Sequence, residues 1–181
     1  MARITQITER EQVAEEHQTI FDSIAESRGR VSGPFSVLLN SPEIAGRAAH
    51  LGAYIRFDST LEPQQRELAI ITAARMADCQ YEWSAHAPMA ERAGVRDEAI
   101  DAVVNKAPVG GLTEEEALII TYARELLGAN RVSEQTFYDA RTMFGDQGVT
   151  ELTATLGYYT MLACALNAFE VEPPDRTPRL R

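Results

Sequence analysis

The sequence has few of the features that mark several common classes of protein. Its 181 residues include two cysteines, Cys79 and Cys164, too few for the disulfide framework of a small secreted domain. No window approaches 18 consecutive apolar residues, and residues 1–10 contain no apolar core of signal-peptide length. We therefore expect a cytoplasmic protein with free thiols and no membrane segment.

Basic clusters and metal-ligand spacings are missing as well. The formal net charge is −10 and no run of basic residues occurs, so we expect no nucleic-acid surface. The three histidines, His17, His50 and His86, form no His-x-x-x-His pair, and no Cys-x-x-Cys occurs. We predict neither a metal site nor a cofactor, and we interpret His17 and His50 as structural.

The sequence also has no stretch in which apolar and polar residues alternate between turn-forming residues, as they do in the strands of a β-hairpin. Apolar residues at helical spacing and helix-capping residues, in contrast, recur along the chain. The aliphatic run at 68–74 would suit a strand, but its alanines and the helix formers beside it favour a helix. Hydrophobic residues make up 45% of the chain, which is enough for one core. The predicted fold is all-α, with helices over residues 9–27, 41–56, 63–77, 79–93, 97–105, 113–127, 133–144 and 150–168.

The reactive side chains concentrate in one stretch of the sequence. Cys79, Glu82 and His86 follow one another at i, i+3 and i+7, so on a helix they should project from one face. Glu67 precedes the cysteine by twelve residues. A thiol, a carboxylate and an imidazole in reach of one another can serve as nucleophile or redox centre, proton carrier and base. An N-cap at Asp78 would place Cys79 in the first turn, where the helix dipole lowers a thiol pKa.

Each of these residues also has an ordinary explanation. Glu82 and His86 have the spacing of any Glu–His pair on a solvated helix face. Glu67 resembles the many glutamates in first helical turns, and Cys79 would be a small buried residue, as most free cysteines are. The spacing alone therefore leaves a structural role open for all four.

Candidates for contact with a substrate lie close to Glu82 and Glu67. Tyr81 and Trp83 would line a pocket, although aromatic residues at helical spacing more often pack in a core or a subunit interface. Arg66 and Arg75 would hold a carboxylate, although the sequence places neither of them in a pocket.

An internal similarity suggests a duplicated helical hairpin. The segment IITAAR at 70–75 recurs as IITYAR at 119–124, with Glu67 and Glu116 at the same offset. In place of the three reactive residues, the second copy has Gly128, Arg131 and Gln135. We interpret the chain as two related hairpins, of which only the first carries the reactive set.

The order of the reactive residues is that of a known family. Eleven residues separate Glu67 from Cys79, two separate Cys79 from Glu82, and three separate Glu82 from His86. This spacing resembles that of the carboxymuconolactone decarboxylase superfamily, which includes the alkyl hydroperoxidase D proteins. The Arg–Glu–Leu opening before this stretch and the Ala–Gly–Val exit after it are similar too. The resemblance implies an all-α fold whose protomers assemble as homotrimers or homohexamers around the active-site helices.

The same resemblance divides the chain into three parts. It covers residues 35–170, as one helical domain of the alkyl hydroperoxidase D-like type. Residues 1–34 are then an N-terminal helical arm, and residues 171–181 a C-terminal tail that is either disordered or docked on a neighbouring subunit.

The residues at the reactive positions distinguish two branches of the superfamily. The hydroperoxidase branch resembles this chain in Cys79, Glu67 and His86, but Glu82 stands where that branch has its second, peroxide-attacking cysteine. The decarboxylase branch keeps a glutamate four residues before the histidine, and Glu82 and His86 match that pair. The chain thus looks like a hybrid that is nearer to the decarboxylases.

The resemblance implies a carboxymuconolactone decarboxylase-like enzyme that acts on a small carboxylated lactone or keto acid. His86 and Glu82 would shuttle protons, Glu67 would relay them, and Cys79 would be a pocket wall or an auxiliary acid. One alternative is a hydroperoxide-reducing thiol protein that uses Cys79. In that case Cys164 would have to lie beside Cys79 to resolve the sulfenic acid formed there. Another is a non-catalytic helical oligomer that binds a ligand.

Overall fold

The computed structural model describes residues 2–174 and 177–180, and these residues form a helical bundle without a β-strand. The all-α class predicted from the sequence is confirmed. The helices are α1 (Gln18–Arg28), α2 (Pro34–Leu38), α3 (Pro42–Ala53), α4 (Pro63–Met76), α5 (Gln80–Ala93), α6 (Asp97–Val104), α7 (Glu114–Ala129) and α8 (Glu134–Ala168). Among the described residues, no helix combines the length and the apolarity that crossing a bilayer requires.

Helix α4 is the centre of the bundle. Its residues from Glu67 to Ala74 are all buried, and it packs against α5, α6, α7 and α8. A helix that is buried on every side needs apolar residues all round. This requirement explains why the strand-like run at 68–74 is helical.

Local capping chemistry fixes several of the predicted helix ends. The backbone N–H of Glu116 donates to the Thr113 hydroxyl, and the backbone N–H of Thr113 donates to the Glu116 carboxylate, so the two residues form a capping box at the start of α7. Gly94 ends α5 with a φ of 91°, a left-handed conformation that its lack of a Cβ permits.

The start of the first helix differs from the prediction. Residues 9–17 form two 3-10 turns, Arg10–Gln12 and Glu15–His17, and the α-helix begins only at Gln18. The side-chain oxygen of Gln12 accepts hydrogen bonds from the backbone N–H groups of Thr8 and Glu9. These bonds stabilise the first 3-10 turn as a separate element before the α-helix.

Two further helix ends were predicted incorrectly. α3 ends at Ala53 and continues as a π-helical turn, Tyr54–Asp58, rather than as α-helix to residue 56. α8 consists of two helical segments joined at a kink at Gly145, where φ is 69°, so the predicted helix end at residue 144 is confirmed, but the second segment begins directly after Gly145 rather than at residue 150. Because glycine adopts this conformation without a steric penalty, the break costs little.

The chain termini pack on the same bundle. Phe21 and Ile24 of α1 are buried in the main core, beside α3. At the other end, the Gln80 side-chain amide donates to the Pro178 carbonyl, and the Leu180 backbone N–H donates to the Gln80 side-chain oxygen, both at 2.8 Å. The described part of the tail thus lies on its own chain, which the sequence did not indicate, while residues 175, 176 and 181 lie outside the described residues.

Candidate active site

A tight turn joins the two helices that hold the reactive residues. Asp78 has a φ of 46°, and Cys79, not Asp78, is the N-cap residue of α5. Asp78 adopts this left-handed conformation, which aspartate tolerates better than most residues, and it pairs with Arg75. The predicted helix start is therefore corrected by one residue, and Cys79 leaves the helical face that carries Glu82 and His86.

Three of the predicted catalytic residues meet between α4 and α5. Nδ1 of His86 lies 2.8 Å from Oε2 of Glu67, and Nε2 of His86 lies 3.5 Å from Oε2 of Glu82. All three side chains are buried. When Glu67 is ionised it accepts the Nδ1–H of the imidazole, which leaves Nε2 free to face Glu82 as a proton acceptor.

Burial is the main influence on the pKa of Glu82. It raises the pKa of this carboxyl group by more than His86 and Arg56 lower it, and the neighbouring Glu67 adds to the increase. A carboxyl group with a raised pKa keeps its proton at higher pH and can act as a general acid. Glu82 and His86 thus form a proton donor and acceptor side by side.

Glu82 and His86 open onto a pocket of about 380 Å³. Tyr159 of α8 packs edge-on against the His86 ring with centroids 5.0 Å apart, and Tyr158 packs edge-on against Tyr159 at 5.3 Å. Tyr81 also lines the pocket, where the sequence analysis expected it. Edge-to-face aromatic contacts of this kind fix the orientation of the imidazole ring.

Arginines supply the positive charge of the pocket. Arg28, Arg30 and Arg56 all line it. The guanidinium of Arg28 lies 4.2 Å above the centroid of the Phe35 ring and donates to the Ala49 carbonyl, which fixes its position. Guanidinium groups are the preferred protein ligands of carboxylates. The pocket therefore combines a buried acid–base pair with positive charge that suits a small anion.

The structure separates Cys79 from this group. Its side chain is fully buried in a small apolar cluster with Val37 and Leu166, and it is not among the residues that line the pocket. Burial raises the pKa of Cys79 to about 11, although the backbone N–H groups of Tyr81 and Glu82 act to lower it. The prediction that the helix dipole lowers this pKa is wrong, because desolvation at the cap outweighs the dipole.

Two of the predicted substrate-binding residues lie away from the pocket. Trp83 is buried in the main core, because one residue along a helix turns the side chain by about 100° from the face of Glu82. Arg66 donates to the Leu61 carbonyl, and Arg75 donates to the Val104 carbonyl. Neither of these two arginines lines the pocket, whereas Arg56 does.

The sequence did not reveal the pocket residues that come from distant parts of the chain. Arg56 lies on the π-helical turn, and Tyr158 and Tyr159 lie on α8. The pair of adjacent tyrosines in α8 was the only signal for this wall. No local spacing relates them to His86, because tertiary packing alone brings them together.

The second hairpin uses its buried glutamate in another way. Glu116 accepts hydrogen bonds from Arg96, with Nη2 at 2.5 Å, and from Thr113. The Arg96 hydrogen bond is the main reason why the pKa of Glu116 is lowered. Glu116 is therefore held as a structural anion, whereas Glu67 at the same offset holds the imidazole of His86.

Metal-binding geometry is not present in the part of the chain that the structure describes. No group of three or more histidine, cysteine, aspartate or glutamate side chains is placed to hold an ion there.

Comparison with known proteins places the chain in a structural context. Residues 42–125 match the model of the carboxymuconolactone decarboxylase family. No curated protein sequence gives a significant match.

Solved structures share the fold at low sequence identity. One is the alkylhydroperoxidase AhpD core of an uncharacterized peroxidase-related protein from Ralstonia eutropha JMP134, with a TM-score of 0.76, 17% identity, and coverage of 96% of this chain and 93% of that one. A peroxidase-related protein from Silicibacter sp. TM1040 gives a TM-score of 0.74 at 16% identity, over 93% and 91% of the two chains. The debrominase Bmp8 gives 0.73 at 13% identity, over 95% and 92%.

Proposed function

Since the chain belongs to the carboxymuconolactone decarboxylase and AhpD-like superfamily through residues 42–125, we propose that it decarboxylates a small carboxylated lactone or keto acid. The observation that carries the proposal is the buried row of Glu67, His86 and Glu82 at an arginine-lined pocket. The two free cysteines suit the reducing cytoplasm, where we place the protein.

The proposed reaction begins with a substrate carboxylate β to a carbonyl group or its vinylogue. Cleavage of the carbon–carbon bond releases carbon dioxide and leaves the electron pair on an enolate. Protonated Glu82 donates its proton to the carbon, and His86 returns a proton from solvent to Glu82. Arg56 stabilises the negative charge that develops on the enolate oxygen.

The position of Glu67 supports this division of roles. Its contact with Nδ1 of His86 fixes the imidazole so that Nε2 faces Glu82. A positioned general acid contributes about a hundredfold to ten-thousandfold to the rate of a step that needs a proton. Glu67 is thus a positioning residue for the pair.

The burial of Cys79 favours decarboxylation over the reduction of hydroperoxides. A peroxide-reducing thiol reacts as the thiolate, and a pKa of about 11 keeps Cys79 protonated near neutral pH. Glu82, which stands in place of a second cysteine, provides an acid and no resolving thiol.

The proposal is tested by release of carbon dioxide from a panel of carboxylated lactones and β-keto acids. We expect turnover by the native protein and a loss of about a hundredfold or more in kcat/KM for His86→Ala and for Glu82→Gln. His50→Ala, which removes an exposed histidine, is the matched control and should keep full activity. Because protonated Glu82 is the donor, kcat should fall as the pH rises through its raised pKa, and Glu82→Gln should lack this limb.

Two results would overturn the proposal. Binding of the carboxylated compounds without any turnover would favour a non-catalytic binding protein. Full activity in Glu82→Gln would remove this residue from the reaction.

A further inference from the structure

The C-terminal segment forms part of the wall of the candidate active site. Pro174 and Thr177 both line the pocket, together with Glu82 and His86. The Thr177 hydroxyl donates to the Pro174 carbonyl at 2.9 Å, which ties these two wall residues to each other. No residue of the proposed reaction comes from this segment, so its place at the pocket needs another explanation.

Contacts on both sides hold the segment across the pocket. Before the wall residues, Val171 is buried in the apolar cluster that contains Cys79. After them, Leu180 packs against the main core. The side chain of Gln80 binds this second end twice, through the Pro178 carbonyl and the Leu180 backbone N–H.

The second end of the segment is held less firmly than the first. Pro178 is exposed, and Thr177 and Leu180 are only half-buried. Segments with few buried apolar contacts open at a small cost in free energy. The paired hydrogen bonds of Gln80 are the polar contacts that oppose this opening.

We propose that residues 172–174 and 177–180 form a strap over the pocket, and that Gln80 is the latch that holds it. The closed strap limits access to His86 and, if the proposed function is right, restricts the enzyme to small substrates. Gln80 touches no reacting atom in this scheme and acts only through the strap.

Carbethoxylation of His86 by diethylpyrocarbonate tests the strap without any substrate. Peptide mass spectrometry follows the labelling rate at His86, with the exposed His50 as reference in the same molecule. We expect several-fold faster labelling of His86 in Gln80→Ala and in a chain that ends at Val171. Gln64→Ala, which alters a half-buried glutamine in the first turn of α4, is the matched control and should label like the native protein.

An unchanged His86 labelling rate in Gln80→Ala would overturn the proposal. Circular dichroism shows whether each variant is folded, and Gln80→Ala decides the question if the shortened chain fails to fold. The result does not depend on turnover. Faster labelling of His86 in Gln80→Ala than in a native protein that decarboxylates nothing would therefore support the strap and still overturn the proposed function.

Discussion

Burial has opposite consequences for the two reactive groups at the start of α5. It raises the pKa of both Glu82 and Cys79. The carboxyl group thereby keeps a proton that it can donate, whereas the thiol loses its nucleophilic form. The same physical effect therefore makes Glu82 more useful as an acid and Cys79 less useful as a nucleophile.

We expect Cys79 to react with hydroperoxides and with iodoacetamide far more slowly than the exposed Cys164. A pKa of about 11 instead of 9.0 lowers the thiolate fraction at pH 8 about a hundredfold. Intact-mass measurements on the native protein, Cys79→Ser and Cys164→Ser give the rate for each thiol. Rapid sulfenic acid formation at Cys79 that slows in His86→Ala would overturn this prediction and favour a peroxidase.

The sequence was informative about Glu67, Glu82 and His86 and misleading about Cys79. Glu82 and His86 are one helical turn apart, so their common face follows from helix geometry alone. The position of Cys79 depends on where the helix begins. A shift of one residue, caused by the left-handed conformation of Asp78, moves the thiol from the site into an apolar cluster.

At the scale of the elements, the π-helical turn at Tyr54–Asp58 places Arg56 in the pocket. The carboxylate of Glu151 on α8 accepts hydrogen bonds from Tyr54 at 2.6 Å and from the backbone and hydroxyl of Thr60 at 2.7 Å. Burial raises the pKa of Glu151, but these hydrogen bonds and one from Gln147 outweigh it and lower the pKa to about 2. Glu151 thus links the turn to α8.

We expect Glu151→Ala to lower the free energy of unfolding by about 2 kcal/mol at pH 7, because the donors on Tyr54 and Thr60 lose a buried charged acceptor. A lowered pKa stabilises the fold above the unfolded value of 4.5, and this stabilisation is lost as the pH falls towards 2. The difference between the variant and the native protein should therefore shrink in urea titrations at pH 3. Glu43→Ala, at an exposed ion pair with Arg47, should change little.

A difference in stability that is the same at both pH values would show that the charge of Glu151 is not its source.

The role of this glutamate also shows why the sequence did not reveal the turn. Capping signals lie within a few residues of a helix end, whereas Tyr54 and Glu151 are 97 positions apart. Helices with local caps, such as α7, were predictable for the same reason.

At the scale of the whole molecule, one face of the bundle remains apolar and exposed. Ile44, Leu51, Tyr54 and Phe57 on α3 and the π-helical turn are 41–60% exposed. Leu51 and Tyr54 also border a groove with Ala154 of α8. Exposed apolar patches of this kind mark interaction surfaces. We propose that a second copy of the chain covers this face in the homotrimer or homohexamer that the family resemblance implies.

Light scattering coupled to size-exclusion chromatography tests this proposal. We expect a trimer or hexamer for the native protein and dissociation for Phe57→Glu, because burying a carboxylate in an apolar interface costs free energy. Tyr138→Glu, an exposed aromatic residue on α8, is the control and should keep the native mass. A native monomer would contradict the proposed assembly, and an intact oligomer in Phe57→Glu would place the interface on another face.

The sequence contains a single tryptophan, so the tryptophan fluorescence of the protein comes from one known position. Trp83 is 3% exposed in the main core, one residue from Glu82 but on a different side of α5. We therefore expect its fluorescence emission to report whether water has entered the core. A red shift of the Trp83 emission in a variant then indicates loss of packing around α5. A variant that loses activity without this shift has kept its fold and lost a catalytic group.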